Sequence, residues 1–222
     1  DATFEKLSES IEKVRGLFSS NELTSFERNK KLREATDWLI PHTIMPGTMA
    51  FAPLFFFHRT FGVPAASTLL HIFDLSVVEY EDSLKISAVA GVIALWIGYT
   101  DEKFIRQFVN TVFVRELGKL LAPNGALDLD LSLAKNTTLR EIKEKKVPGI
   151  DELDFRFEQI IQKPESSDEL CDIILFAKWV SGHKIGDVDR LHNSRVARKI
   201  KKYFGLKSFV GINSEIPKGV AA

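Results

Sequence analysis

Cysteine is nearly absent from this chain. Cys171 is the single one in 222 residues, which excludes an intrachain disulfide framework and fits a reducing compartment. Net charge is absent as well. The 30 Lys and Arg balance 30 Asp and Glu, so any attraction for an anionic partner must come from a local field. Tyr and Trp are scarce at three each, against 17 Phe, which makes the aromatic part of the core mainly Phe. The sequence has no Gly-rich phosphate loop, no nucleophile elbow and no Cys/His metal pattern. Nothing therefore marks an enzyme, and no metal or cofactor is expected. The opening stretch from Asp1 to Lys6 leads into charged amphipathic sequence rather than a signal-peptide pattern. The expected location is cytoplasmic or another reducing compartment, and not secreted.

Long apolar runs are also missing. Arg59 is the sole Lys, Arg, Asp or Glu between positions 38 and 73, but Pro41, Pro46, Pro53 and Pro64 interrupt that stretch. A membrane helix needs roughly 20 unbroken apolar residues. The later run from Ile86 to Thr100 ends at Asp101. Both stretches read as the buried core of a globular domain, with a membrane-embedded subunit as the alternative.

What is present is helical punctuation. Phe4, Leu7, Ile11, Val14 and Phe18 step by three and four, a strip that needs a surface to cover it. That surface is either the chain's own domain or a neighbouring copy. Thr24 and Glu27 form a capping box for a helix expected to end at Pro41, and Thr138 and Glu141 form another. Acids at 101 and 102 open a helix carrying Phe104, Ile105, Phe108, Val112 and Leu117. Residues 166–169 open one that Gly182 closes. Asp187 caps a last helix running to Phe204, with Gly205 just beyond. No strict alternation competes, so the fold class is all-α. The expected plan is an N-terminal arm or helix (1–20), an apolar lobe (21–121), a linker (122–138), a charged lobe (139–205) and a C-terminal arm (206–222). Phe209 lies in that apolar tail.

Charge is segregated toward the C-terminus. From Lys178 to Lys207 there are nine Lys and Arg against Asp187 and Asp189, a net of +7. In the last helix Val196, Ile200, Tyr203 and Phe204 make an apolar face, and Arg195, Arg198, Lys199, Lys201 and Lys202 cover the rest. Such a density exceeds what a helix C-terminus needs to balance its dipole. It suits phosphates of single-stranded RNA, with Tyr203 stacking a base and Arg190 and Arg59 as further cations. An acidic protein surface or an anionic membrane would use the same charge. His42, His58 and His71 match no helical metal pair. Asp128-Leu129-Asp130 reads as a turn, and Gly182 to Asp187 as a connection between helices.

Three features together resemble the RNA-encapsidating nucleoproteins of segmented negative-strand RNA viruses of the bunyavirus group. They are the close Tyr203-Phe204-Gly205-Leu206 after a basic helix, the segment Ala90-Gly91-Val92-Ile93-Ala94-Leu95-Trp96, and the plan of a helical chain with two lobes and terminal arms. The resemblance implies RNA held in a basic cleft and homo-oligomers joined by the arms, through Phe4, Leu7, Ile11, Val14 and Phe209. Residues 1 to 160 depart from it, with 19 Lys and Arg against 23 Asp and Glu.

Overall fold

The computed structural model describes residues 2–44, 51–62, 73–74, 76–122, 128–147, 153–162, 168–183, 185 and 188–204. Residues 2, 3, 128–132, 155, 162, 188 and 204 are described by their backbone alone. The helices are α1 (Ala2–Ser19), α2 (Ser25–Thr36), α3 (Leu39–Ile44), α4 (Ala52–Phe61), α5 (Val77–Ile97), α6 (Glu102–Leu120), α7 (Asp128–Glu144), α8 (Phe155–Gln162), α9 (Glu169–Val180), α10 (Val188–Asn193) and α11 (Arg195–Phe204). There is no strand among the described residues. The fold is all-α.

Helix α5 is the axis. Ser76 and Glu79 start it with a reciprocal capping box, and from Ile86 to Trp96 every residue is buried. A helix that is apolar all round must be covered on all sides. α2, α3, α4, α6 and α9 supply the cover. Gly98 ends α5 at φ 126°, a conformation L side chains rarely adopt, and its N–H donates back to the Ala94 and Leu95 carbonyls. No helix among the described residues is long and apolar enough to cross a membrane.

The core does not divide at the expected linker. One cluster joins Leu7, Ile11 and Val14 of α1 to Phe56, Ile93 and Trp96, and continues into Leu170, Phe176, Val196 and Ile200. A second gathers Tyr80, Phe113, Leu117, Leu139, Ile142 and Ile161 around the far half of α6. The last helices thus pack on the same core as the first, and α5 and α6 enter both clusters.

Several local expectations need correction. Residues 128–138 belong to α7, so most of the proposed linker is helix. Thr138 is not a cap; its hydroxyl donates to the Ala134 carbonyl within that helix, 2.8 Å. α2 ends at Thr36, and Pro41 sits in the first turn of α3, where the first N–H groups of a helix have no intrahelical acceptor. Asp101, expected as a first-turn acid, is the cap of α6, accepting from the Phe104 N–H at 2.7 Å. The last helix is two helices, because the Ser194 hydroxyl accepts from the Ala197 N–H at 3.1 Å and starts α11 afresh. The N-terminal strip is not a free arm: Leu7 and Val14 are fully buried against α2 and α4, which supply the surface the strip requires. Phe4 remains 47% exposed, with its ring 5.4 Å from Phe55. The tail with Phe209 lies outside the described residues.

Candidate nucleic-acid interface

α11 is built to be half buried. Val196, Ala197 and Ile200 are fully inside, packed toward α9 and α10. At about 100° per residue, Arg198, Lys202, Arg195 and Lys199 then fall within an arc of roughly 100° on the outer side. Tyr203 borders that arc on one side and Lys201 on the other. The apolar positions thus determine which way the cations face.

The arc is not uniformly free. Arg195 pairs with Glu169 at 2.9 Å. Lys199 donates to the Ile97 carbonyl at 3.4 Å, at the C-terminus of α5, where a cation meets exposed carbonyl oxygens. Burial, with Arg195 nearby, lowers the Lys199 pKa, against the pull of Glu169. Lys201 donates to the His192 carbonyl at 3.0 Å. Arg190 is turned inward, to Asp172 at 3.1 Å. Arg198 and Lys202 are exposed, and their side chains make no hydrogen bond or ion pair among the described residues.

Tyr203 leans on the core. Its ring meets Trp96 edge-on with centroids 5.1 Å apart, and its hydroxyl hydrogen-bonds Asp37. Burial and the Asp37 carboxylate raise its pKa. Asp37 also accepts from Trp96 Nε1 at 2.7 Å. The Arg33 guanidinium lies over the Trp96 ring at 5.0 Å, exposed, with no hydrogen-bond or ion-pair partner among the described residues. Asn29, Arg33 and Asp37 stand at i, i+4 and i+8, so one stripe running from α2 serves the end of α5. Asn29 donates to the Gly98 carbonyl at 3.5 Å. Beyond Gly98, the Tyr99 hydroxyl reaches Glu169 at 3.3 Å, Tyr99 stacks on Phe104 at 4.9 Å, and Arg156 lies 5.7 Å over Phe104. The result is a band in which cations and aromatic rings alternate.

Of the residues expected from sequence, the structure brings Arg195, Arg198, Lys199, Lys202 and Tyr203 to one face. Arg190 is committed to Asp172, and Lys201 sits at the flank. Arg59 is exposed on α4, with no contact to this band. Sequence reasoning missed Arg33, Asp37, Tyr99 and Glu169. Among the described residues no group of His, Cys, Asp and Glu could hold a metal ion. His42 packs edge-on to Trp38, and Cys171 is buried. A scan against protein-family models, a search of curated proteins and a search of solved structures each returned no match.

Proposed function

We propose that this chain is a non-enzymatic protein that binds single-stranded RNA along the outer face of α11 and self-assembles, as a nucleoprotein does. One observation carries the reading. Arg33, Arg198 and Lys202 make no hydrogen bond or ion pair among the described residues; Arg33 lies over Trp96, whose ring meets Tyr203, and Arg198 and Lys202 lie on the outer side of the same helix as Tyr203. Free cations beside an aromatic surface suit phosphates and unstacked bases together. Phosphate contacts made this way carry no base information, so the binding has little sequence preference.

The test is the triple variant Arg33→Gln, Arg198→Gln and Lys202→Gln, compared with wild type for binding a labelled single-stranded RNA. Gln is nearly as good a helix former as Lys or Arg, so α2 and α11 persist. Affinity falls at least tenfold if the reading holds. Unchanged affinity refutes it. Loss of binding to an acidic protein or to anionic vesicles in the same variant, with no RNA binding in wild type, assigns the face to that partner instead.

A further inference from the structure

A second concentration of positive charge lies inside the molecule, away from α11. Arg115, Glu116 and Lys119 of α6 meet Lys178 of α9. Lys178 Nζ is 3.0 Å from Glu116 Oε2, and Lys119 Nζ is 3.6 Å from Oε1. Arg115 donates to the Ile160 carbonyl at 3.0 Å and is 2% exposed. Among the described residues, these three cations face one carboxylate, Glu116, a surplus of two positive charges. Two buried atoms also lack a hydrogen-bond partner, Arg115 Nε and Glu116 Oε1. Buried charge without a counter-charge is costly, and each unsatisfied buried polar atom adds to the cost. The side chains of Lys119 and Lys178 remain 23% and 15% exposed, so the cluster borders solvent.

We propose that Arg115, Lys119 and Lys178 form a binding site for a phosphate dianion. The surplus of two charges matches a dianion, whereas a phosphodiester would neutralise half of it. Each ammonium carries three donors, which leaves donors for a tetrahedral oxyanion after Glu116 is served. Burial pushes the Lys119 ammonium down to about 8, against the pull of Glu116 and with Lys178 and Arg115 adding to the push. The same three cations outweigh burial at Glu116 and hold its carboxyl below the usual carboxylate range. Lys135 of α7 packs its backbone and aliphatic stem on Gly118. An arriving dianion favours the charged form of Lys119, so binding near pH 8 takes up protons. The site shares no residue with α11 and stands independently of the RNA reading.

The experiment uses the full chain and inorganic phosphate, compared with chloride at equal ionic strength. Phosphate should raise Tm saturably, with chloride giving no such rise. Calorimetric titration in two buffers of different ionisation enthalpy should show proton uptake near pH 8. Lys119→Gln and Lys178→Gln should each weaken phosphate about tenfold or more, the loss of one charged hydrogen bond. Equal effects of phosphate and chloride overturn the proposal. So does wild-type binding without proton uptake, a measurement that needs no variant to fold. A phosphate effect that survives in Lys119→Gln but vanishes in Arg198→Gln/Lys202→Gln moves the anion to α11 and overturns it too. Displacement of phosphate by a single-stranded oligonucleotide without terminal phosphates would assign the site to phosphodiesters and overturn the dianion proposal, whereas no displacement supports free phosphate or a phosphomonoester.

Discussion

Tyr203 stands edge-on to Trp96, and Asp37 accepts a hydrogen bond from each of them. The two residues are over a hundred positions apart in sequence. Their contact fixes the end of α11 over the end of α5, where Arg33 covers the indole. The aromatic part of the candidate interface is therefore anchored in the core rather than carried on a loose helix end.

That anchoring separates two roles of Tyr203. Tyr203→Phe keeps the ring and loses the hydrogen bond to Asp37, so RNA affinity should stay within a few-fold. Tyr203→Ala should lower RNA affinity by about 1–3 kcal/mol if the ring stacks a base. It should also cost about 0.5–1.5 kcal/mol of stability from the lost aromatic pair. Affinity and urea unfolding measured on both variants distinguish these effects. Equal RNA affinity in Tyr203→Ala and wild type removes the ring from the binding site.

Gly91 lies where α5 meets α4 and α6. A Cβ there would come within 2.3 Å of a Phe57 ring atom and 2.6 Å of a Val109 methyl. Gly91→Ala should therefore destabilise by about 1–3 kcal/mol through overpacking, despite the better helix propensity of Ala. The urea midpoint should fall with the slope unchanged. A more stable variant would show that Phe57 can move aside.

How much of this was legible in the sequence differs from element to element. Local signals were reliable where they were self-contained. Thr24 with Glu27 makes the capping box that its spacing implies, and the apolar side of α11 is buried at Val196 and Ile200. Thr138 and Glu141 have the same spacing, but propensity across 128–144 and packing on α6 carry the helix straight through. The linker was misread because its alternating Asp and Leu looked like turn chemistry. The site was half legible. A run of cations is visible in sequence, but ion pairs across the fold are not. Arg190 lost its place to Asp172, and Arg195 is shared with Glu169, both supplied by α9. Arg33 was hidden because α2 carries nearby acids that dilute its charge, while its role comes from Trp96 some 60 positions away.

Stability should pass through a maximum near pH 10 in phosphate-free buffer. Lys119 sits at about 8 when folded, against an ordinary 10.5. Between these values the unfolded chain binds more protons, so stability rises with pH. Tyr80 works the other way. Burial raises its phenol to about 12 from 10, so above pH 10 the folded chain holds a proton that the unfolded chain has lost, and stability falls. Tyr99 and Tyr203 are raised as well and act in the same direction. Urea unfolding across this range should show both limbs. Lys119→Met should flatten the rise, and Tyr80→Phe should soften the fall. A monotonic profile contradicts the assignment.

The N-terminal strip gives a stability prediction where sequence alone suggested an assembly one. Leu7 is fully buried in the main cluster. Leu7→Ala should cost about 2–5 kcal/mol. Deleting residues 1–18 should strip cover from α2 and α4 and lower Tm sharply, rather than release a folded monomer. Phe4→Ala should barely change stability, because its ring is half exposed. If it lowers the oligomer in size-exclusion chromatography, Phe4 belongs to the contact between copies.

The charge on α11 sets how salt should act on RNA binding. If Arg195, Arg198, Lys199 and Lys202 each neutralise one phosphate, the log–log slope of affinity against salt is about −2.8, from roughly −0.7 per contact on a single strand. Arg195 and Lys199 already serve Glu169 and the end of α5, so they contribute part of that. Arg198 and Lys202 have no such commitment among the described residues and should contribute fully. Replacing these two by Gln should flatten the slope by about 1.4, while Arg195→Gln should flatten it by less than about 0.7, since Glu169 already neutralises part of the Arg195 charge. Fluorescence anisotropy at four or more salt concentrations measures both. A slope change of about 0.7 for Arg195→Gln would mean that the Glu169 pair opens when RNA binds.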